Sequence, residues 1–172
     1  DSGVADVTAT TVEESDAAAD DANTGRGVLP PLGTFDRTVP GFRVFDPCSE
    51  IPSEVLAELG LEPNSEPERE SGYRSCHFST KYSQTGQADV LIASDHESIE
   101  TVKNGDPIIF RGLKGEQEEI LVIEDTFIRD VSCTSYVETK RGMVSLSWTE
   151  LSRDVSMTER CQASLDLLKA LI

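Results

Sequence analysis

The sequence predicts an α+β domain: a single antiparallel sheet with helices packed on one face, held by two disulfides. Three observations carry that expectation. Hairpin signals dominate the middle of the chain, helical patterns flank them, and four cysteines are spread widely through an acidic chain.

Residues 1–45 differ from the remainder. Asp1–Gly25 holds Asp1, Asp6, Glu13, Glu14, Asp16, Asp20 and Asp21 with no Lys or Arg, among small or weakly apolar residues. Such a stretch carries too little apolar surface to offset its ordering entropy and is expected to be a disordered tether. Gly27–Gly33 (GVLPPLG) is stiffer, of polyproline character. Phe35, Phe42 and Phe45 follow it. Val28, Leu29, Leu32, Phe35, Phe42 and Phe45 are therefore the expected partner-binding anchors. The alternative for the three phenylalanines is that they tuck onto the domain's own surface.

The domain is expected over 46–172, opening at Asp46-Pro47-Cys48. Pro52 and Ser53 suit a first helical turn, Val55, Leu56 and Leu59 form an apolar stripe, and Gly60 suits the position just past the helix. Leu61–Ser71 reads as a polar loop. Tyr73–Thr80 alternates, with Cys76 and Phe78 on one face, and predicts a strand. Asp89–Ala93 predicts a second. Ser94 with Glu97 has the spacing of a capping box opening a short helix that ends before Asn104-Gly105. Pro107–Arg111 and Glu119–Glu124 flank a Gly-containing turn and predict a hairpin. Val131–Thr139 and Met143–Trp148 predict another, with Val131, Cys133 and Val137 sharing a face and Val144, Leu146 and Trp148 sharing theirs. A second capping box, Ser156 with Glu159, opens a last helix whose stripe is Met157, Cys161, Leu165, Leu168 and Ile172.

Cys48, Cys76, Cys133 and Cys161 lie 28, 57 and 28 positions apart with no C-x-x-C pair, which argues against zinc ligation and thioredoxin-type chemistry. Two structural disulfides in an oxidising compartment are expected instead. The flanking helices carry Cys48 and Cys161 and the strands carry Cys76 and Cys133. The expected pairing is therefore Cys48–Cys161 and Cys76–Cys133, one of three possible.

A net charge of −17 would repel a polyanion or an anionic lipid surface, so no nucleic-acid partner is expected. No apolar stretch reaches the roughly 18–20 residues of a bilayer span. His77 alternates with Cys76 and so faces away from it; His96 falls in a solvated first turn. Neither forms a converged catalytic or metal-binding pair. There is no Gly-x-Ser-x-Gly elbow, EF-hand loop or phosphate-cradling Gly-rich loop. The chain is expected to be non-enzymatic, with no catalytic residues, no metal and no cofactor.

Phe45-Asp46-Pro47-Cys48, the following Ile51–Gly60 helix, Ser75-Cys76-His77-Phe78, the strand Cys133 and the helix Cys161–Leu171 together resemble an actinobacterial family of cell-envelope lipoproteins of unknown function. The resemblance covers about residues 45–172. It implies a removed export signal and a lipid-modified cysteine upstream of Asp1, anchoring the protein to the outer face of the cell membrane. It brings no catalytic residues. The function expected from these observations together is that of an accessory or interaction subunit of a membrane protein complex, with a respiratory assembly as one candidate host. The rival is an envelope carrier or sensor for a small apolar ligand, its cavity lined by residues such as Phe78, Phe110, Phe127 and Trp148.

Overall fold

The computed structural model describes residues 27–83, 88–105, 110–111, 120–125 and 130–172. Within these residues, eight antiparallel strands form one sheet: β1 (Leu61–Pro63), β2 (Glu68–Glu70), β3 (Tyr73–Thr80), β4 (Ala88–Asp95), β5 (Phe110–Arg111), β6 (Leu121–Glu124), β7 (Ser132–Thr139) and β8 (Gly142–Glu150). Their order is β1-β3-β4-β8-β7-β6-β5, and β2 shares the outer edge of β3 with β1. One row of partners crosses the sheet through Cys76, Ile92, Leu146, Ser135 and Val122.

Alternation along the strands decides which face is dry. Cys76 and Phe78, Val90 and Ile92, Cys133 and Val137, and Val144, Leu146 and Trp148 all enter one buried cluster. Helix α4 (Met157–Leu171) closes it with Leu165, Leu168 and Leu171, opened by the expected Ser156–Glu159 capping box. Short helices α1 (Pro47–Glu50) and α2 (Ser53–Glu58) bring Ile51 and Leu56 to the same side. Gly60, just past α2, has φ +66°, a conformation that favours glycine, and the Tyr82 ring lies against it. The predicted α+β fold class, single sheet and two disulfides are all present. Helix α3 (Ile99–Gly105) sits on the other face, where Ile99 packs with Leu121 and Met143, the alternate positions of β6 and β8.

Four expectations are corrected. Leu61–Ser71 contains two strands, because backbone pairing to the free edge of β3 orders even the exposed Glu68–Glu70. The Ser94–Glu97 capping box does not form. Strand β4 continues through Asp95, paired on both sides to Tyr73 and Met143, and Asp95 Oδ1 instead accepts from the Glu97 N–H at 2.8 Å.

The disulfides join Cys48 to Cys76 and Cys133 to Cys161, with Cα–Cα separations of 5.5 and 5.0 Å. The expected Cys76–Cys133 bridge is impossible in this sheet. β4 and β8 lie between their strands, placing them about 14 Å apart at the usual strand spacing, beyond the roughly 7 Å that a disulfide can close. Each bridge instead staples a helix to the strand beneath it.

The fourth correction concerns residues 27–45, which belong to the domain. Leu29 and Phe45 are 4% and 1% exposed and enter the main core. The backbone is tied along its length. Val28 and Leu29 donate to the Leu171 carbonyl, Gly33 donates to Glu138, Lys140 donates to Pro31, and Phe45 donates to Arg141. The segment is a strap around the β7–β8 hairpin. The Arg141 guanidinium completes it, donating to the Arg43 and Val44 carbonyls and to both carboxylate oxygens of Glu50.

Candidate functional site

Of the six expected anchors, four are used internally. Leu29 and Phe45 are core residues; Val28 and Leu32 are half-buried against that core, and Leu32 bridges Thr139. Burial removes Leu29 and Phe45 from a partner's reach. Phe35 and Phe42 are also half-buried, but against each other, stacked with ring centroids 5.5 Å apart and planes 16° from parallel. Val39, at the tip between them, is 52% exposed.

The inner side of this strap faces the turn before α3 across a groove of about 330 Å³, lined by Phe35, Asp36, Arg37, Thr38, His96, Glu97 and Ser98. Two contacts fix its walls. Arg37 Nη1 lies 2.9 Å from Glu97 Oε1, spanning 60 residues of sequence. Asp36 Oδ1 accepts from both the hydroxyl and the N–H of Thr38, and these bonds hold its carboxyl below the usual range. His96 donates its backbone N–H to the Gly72 carbonyl, and its ring covers Gly72, where any Cβ would strike the imidazole. Its Nε2 is 3.4 Å from Glu97 Oε1. The residue thus precedes α3 instead of lying in its first turn. No sequence signal links Arg37 to Glu97; the groove exists only because the strap is folded against the sheet.

His77 is far from this groove by topology, on the face of β3 opposite Cys76. Its Nδ1 lies 2.9 Å from Asp89 Oδ2, and Asn64 donates to the other Asp89 oxygen at 2.8 Å. The array orients an imidazole, but His77 and His96 do not converge. Among the described residues no group of three His, Cys, Asp or Glu side chains is placed to hold a metal.

Two of the residues considered for an apolar ligand cavity are core filling: Phe78 is 1% exposed, and Trp148 is 7% exposed with its Nε1 donating to Glu150 Oε2. Phe110 is placed by its backbone in β5, and Phe127 lies outside the described residues. A buried cation, Arg160, was left unremarked by sequence reading. At 3% exposed, it donates to the carbonyls of Glu150, Ser152 and Val155 and so fixes the β8–α4 connection.

A family model described as Protein of unknown function (DUF3558) matches residues 3–172. The chain belongs to that family. The DUF3558 match takes in the strap as well as the stapled sheet, in keeping with a strap that supplies core residues. No curated protein and no solved structure matches the chain. For this DUF3558 member, the two disulfides indicate an oxidising, extracytoplasmic compartment. Among the described residues no helix is long and apolar enough to cross a membrane.

Proposed function

We propose that this chain is a non-catalytic extracytoplasmic lipoprotein that acts as an accessory, interaction subunit of a membrane protein complex. In this reading a lipid on a cysteine upstream of Asp1 anchors it to the outer membrane face, and the strap surface is its docking element. The observation that carries the proposal is the Phe35–Phe42 stack. Two large aromatics stay partly exposed and stacked on each other, with the exposed Val39 between them, on a segment whose Leu29 and Phe45 are drawn into the core. Aromatics held rigid in this way form contacts at little entropic cost, which is why such residues dominate interface energetics. The disulfide-stapled domain supports them from beneath, since Arg141 and the β7–β8 hairpin pin both ends of the strap.

Co-purification from detergent-solubilised membranes tests the reading. The parent chain brings down a stoichiometric membrane protein, and the Phe35→Ser/Phe42→Ser variant loses it by tenfold or more while keeping its thermal stability. Equal recovery by parent and variant would exclude the strap as the docking element. Recovery of the parent as a monomer alone would exclude the subunit role.

A further inference from the structure

We propose that the groove between the strap and the turn before α3 is a binding site for a neutral saccharide. The inference goes beyond the docking role and does not depend on it. Its volume of about 330 Å³ lies at the lower end of the range for small-ligand sites. Its chemistry narrows the ligand class further.

One charge pair in the groove is closed within the protein, and the remaining carboxylate is hydrogen-bonded. Arg37 is matched by Glu97, and Asp36 is satisfied in part by Thr38. The groove therefore holds one guanidinium and two carboxylates, on a protein of net charge −17, which disfavours phosphates, carboxylates and nucleotides. Each group nevertheless keeps hydrogen-bonding capacity. Among the described residues, Glu97 Oε2 and Asp36 Oδ2 accept no hydrogen bond, and Arg37 uses only Nη1. A guanidinium beside a carboxylate offers a donor and an acceptor side by side. A sugar hydroxyl, which donates and accepts at once, matches that pair; a simple anion or cation matches only half of it. Ser98 and Thr38 add hydroxyls of the same dual character.

Phe35 supplies the remaining element. One side of its ring is held by Phe42, and the residue lines the groove, so an apolar surface stands beside the polar array. Pyranose rings present just such a combination, with axial C–H groups on one face and hydroxyls at the rim. The Gly72–His96 packing holds the His96 wall before binding, which keeps the ordering cost of a ligand small.

The test uses the purified full chain and amide resonances followed by NMR. Maltohexaose, cellohexaose and mannohexaose are each titrated to about 10 mM, ten times a Kd of about 1 mM. Spermidine and inorganic phosphate serve as the cationic and anionic probes. The expected result is saturable shifts at residues 35–38 and 96–98 with at least one hexasaccharide, and at least tenfold weaker binding in Glu97→Gln and Phe35→Leu. Unchanged resonances in β7 and β8 report that each variant is folded. No saturable shift with any hexasaccharide, shifts mapping elsewhere, tighter binding of spermidine or phosphate, or an unchanged Kd in both variants would each overturn the assignment. The titration contains no membrane partner, so its failure leaves the co-purification result untouched.

Discussion

Replacing both cysteines of one bridge distinguishes the observed pairing from its alternatives and measures what a bridge contributes. Cys48–Cys76 and Cys133–Cys161 each close a separation of 28 residues, and the two loops do not overlap. In the loop-entropy account, a loop of that size removes about 12 cal/mol/K from the unfolded chain, or about 3.6 kcal/mol at 25 °C. Cys133→Ala/Cys161→Ala should therefore lower the unfolding free energy by about 3–4 kcal/mol, with a further contribution from the truncated Cys133 side chain, which is fully buried. Cys48→Ala/Cys76→Ala should lose a similar amount, because its loop has the same length. Urea unfolding monitored by Trp148 fluorescence reads both losses. Thiol titration under denaturing conditions supplies the decisive count. Either double variant keeps its other bridge and shows no free thiol, whereas Cys48–Cys161 pairing would release two. Two free thiols, or a non-reduced peptide joining Cys48 to Cys161, would refute the assignment.

Leu29→Ala should destabilise the domain by about 2–4 kcal/mol, as for other fully buried leucines, while removal of residues 1–25 should leave the denaturation midpoint unchanged; calorimetry compares the two. Arg141→Ala should flatten the acid side of the stability profile. The hydrogen bond from Arg141, opposed by partial burial, holds the Glu50 carboxyl below its ordinary value of 4.5. A carboxylate depressed on folding stabilises above its unfolded pKa, and that gain is lost as pH falls through the folded value, so the gap between variant and parent should narrow as pH falls below 4.5, leaving the part carried by the Arg43 and Val44 carbonyls. Gly142→Ala should cost about 1–3 kcal/mol, because Gly142 has φ +109° and a Cβ there would lie 2.6 Å from the Asp95 carbonyl oxygen; a chevron or equilibrium urea series measures it.

The long strands and the last helix were legible because their signals are local. The period-two pattern of Val144, Leu146 and Trp148 and the Ser156–Glu159 box each sit within a few residues. The errors fall where a distant element decides. Ser94 and Glu97 have capping-box spacing, yet two neighbouring strands reach Asp95 and convert the site to sheet. Glu68–Glu70 has no apolar face to read, and only the free edge of β3 makes it a strand. Cysteine pairing failed for a related reason. The helix-and-strand sorting of the four cysteines was right, but strand order, which two hairpins do not specify, determines who lies beneath whom. The strap was misread because Pro and Gly mark a linker by composition, while Leu29 and Phe45 find their place only on the finished β7–β8 hairpin and α4. The candidate groove shares that origin, since its defining Arg37–Glu97 contact spans 60 residues.

Gly27 packs so tightly on the end of α4 that a Cβ there would overlap the Ile172 carbonyl. The described backbone is therefore almost a closed ring, and where the ring is cut becomes a design choice. Linking residue 172 to residue 27 through a short glycine spacer and opening the chain at the exposed Asn64–Glu66 turn would give a circular permutant with every strand pairing intact. In such a molecule a group fused to the new N-terminus would leave from the β1–β2 edge instead of from the strap. The same domain would then be presented to its surroundings in a different orientation, which separates what the domain recognises from how it is held.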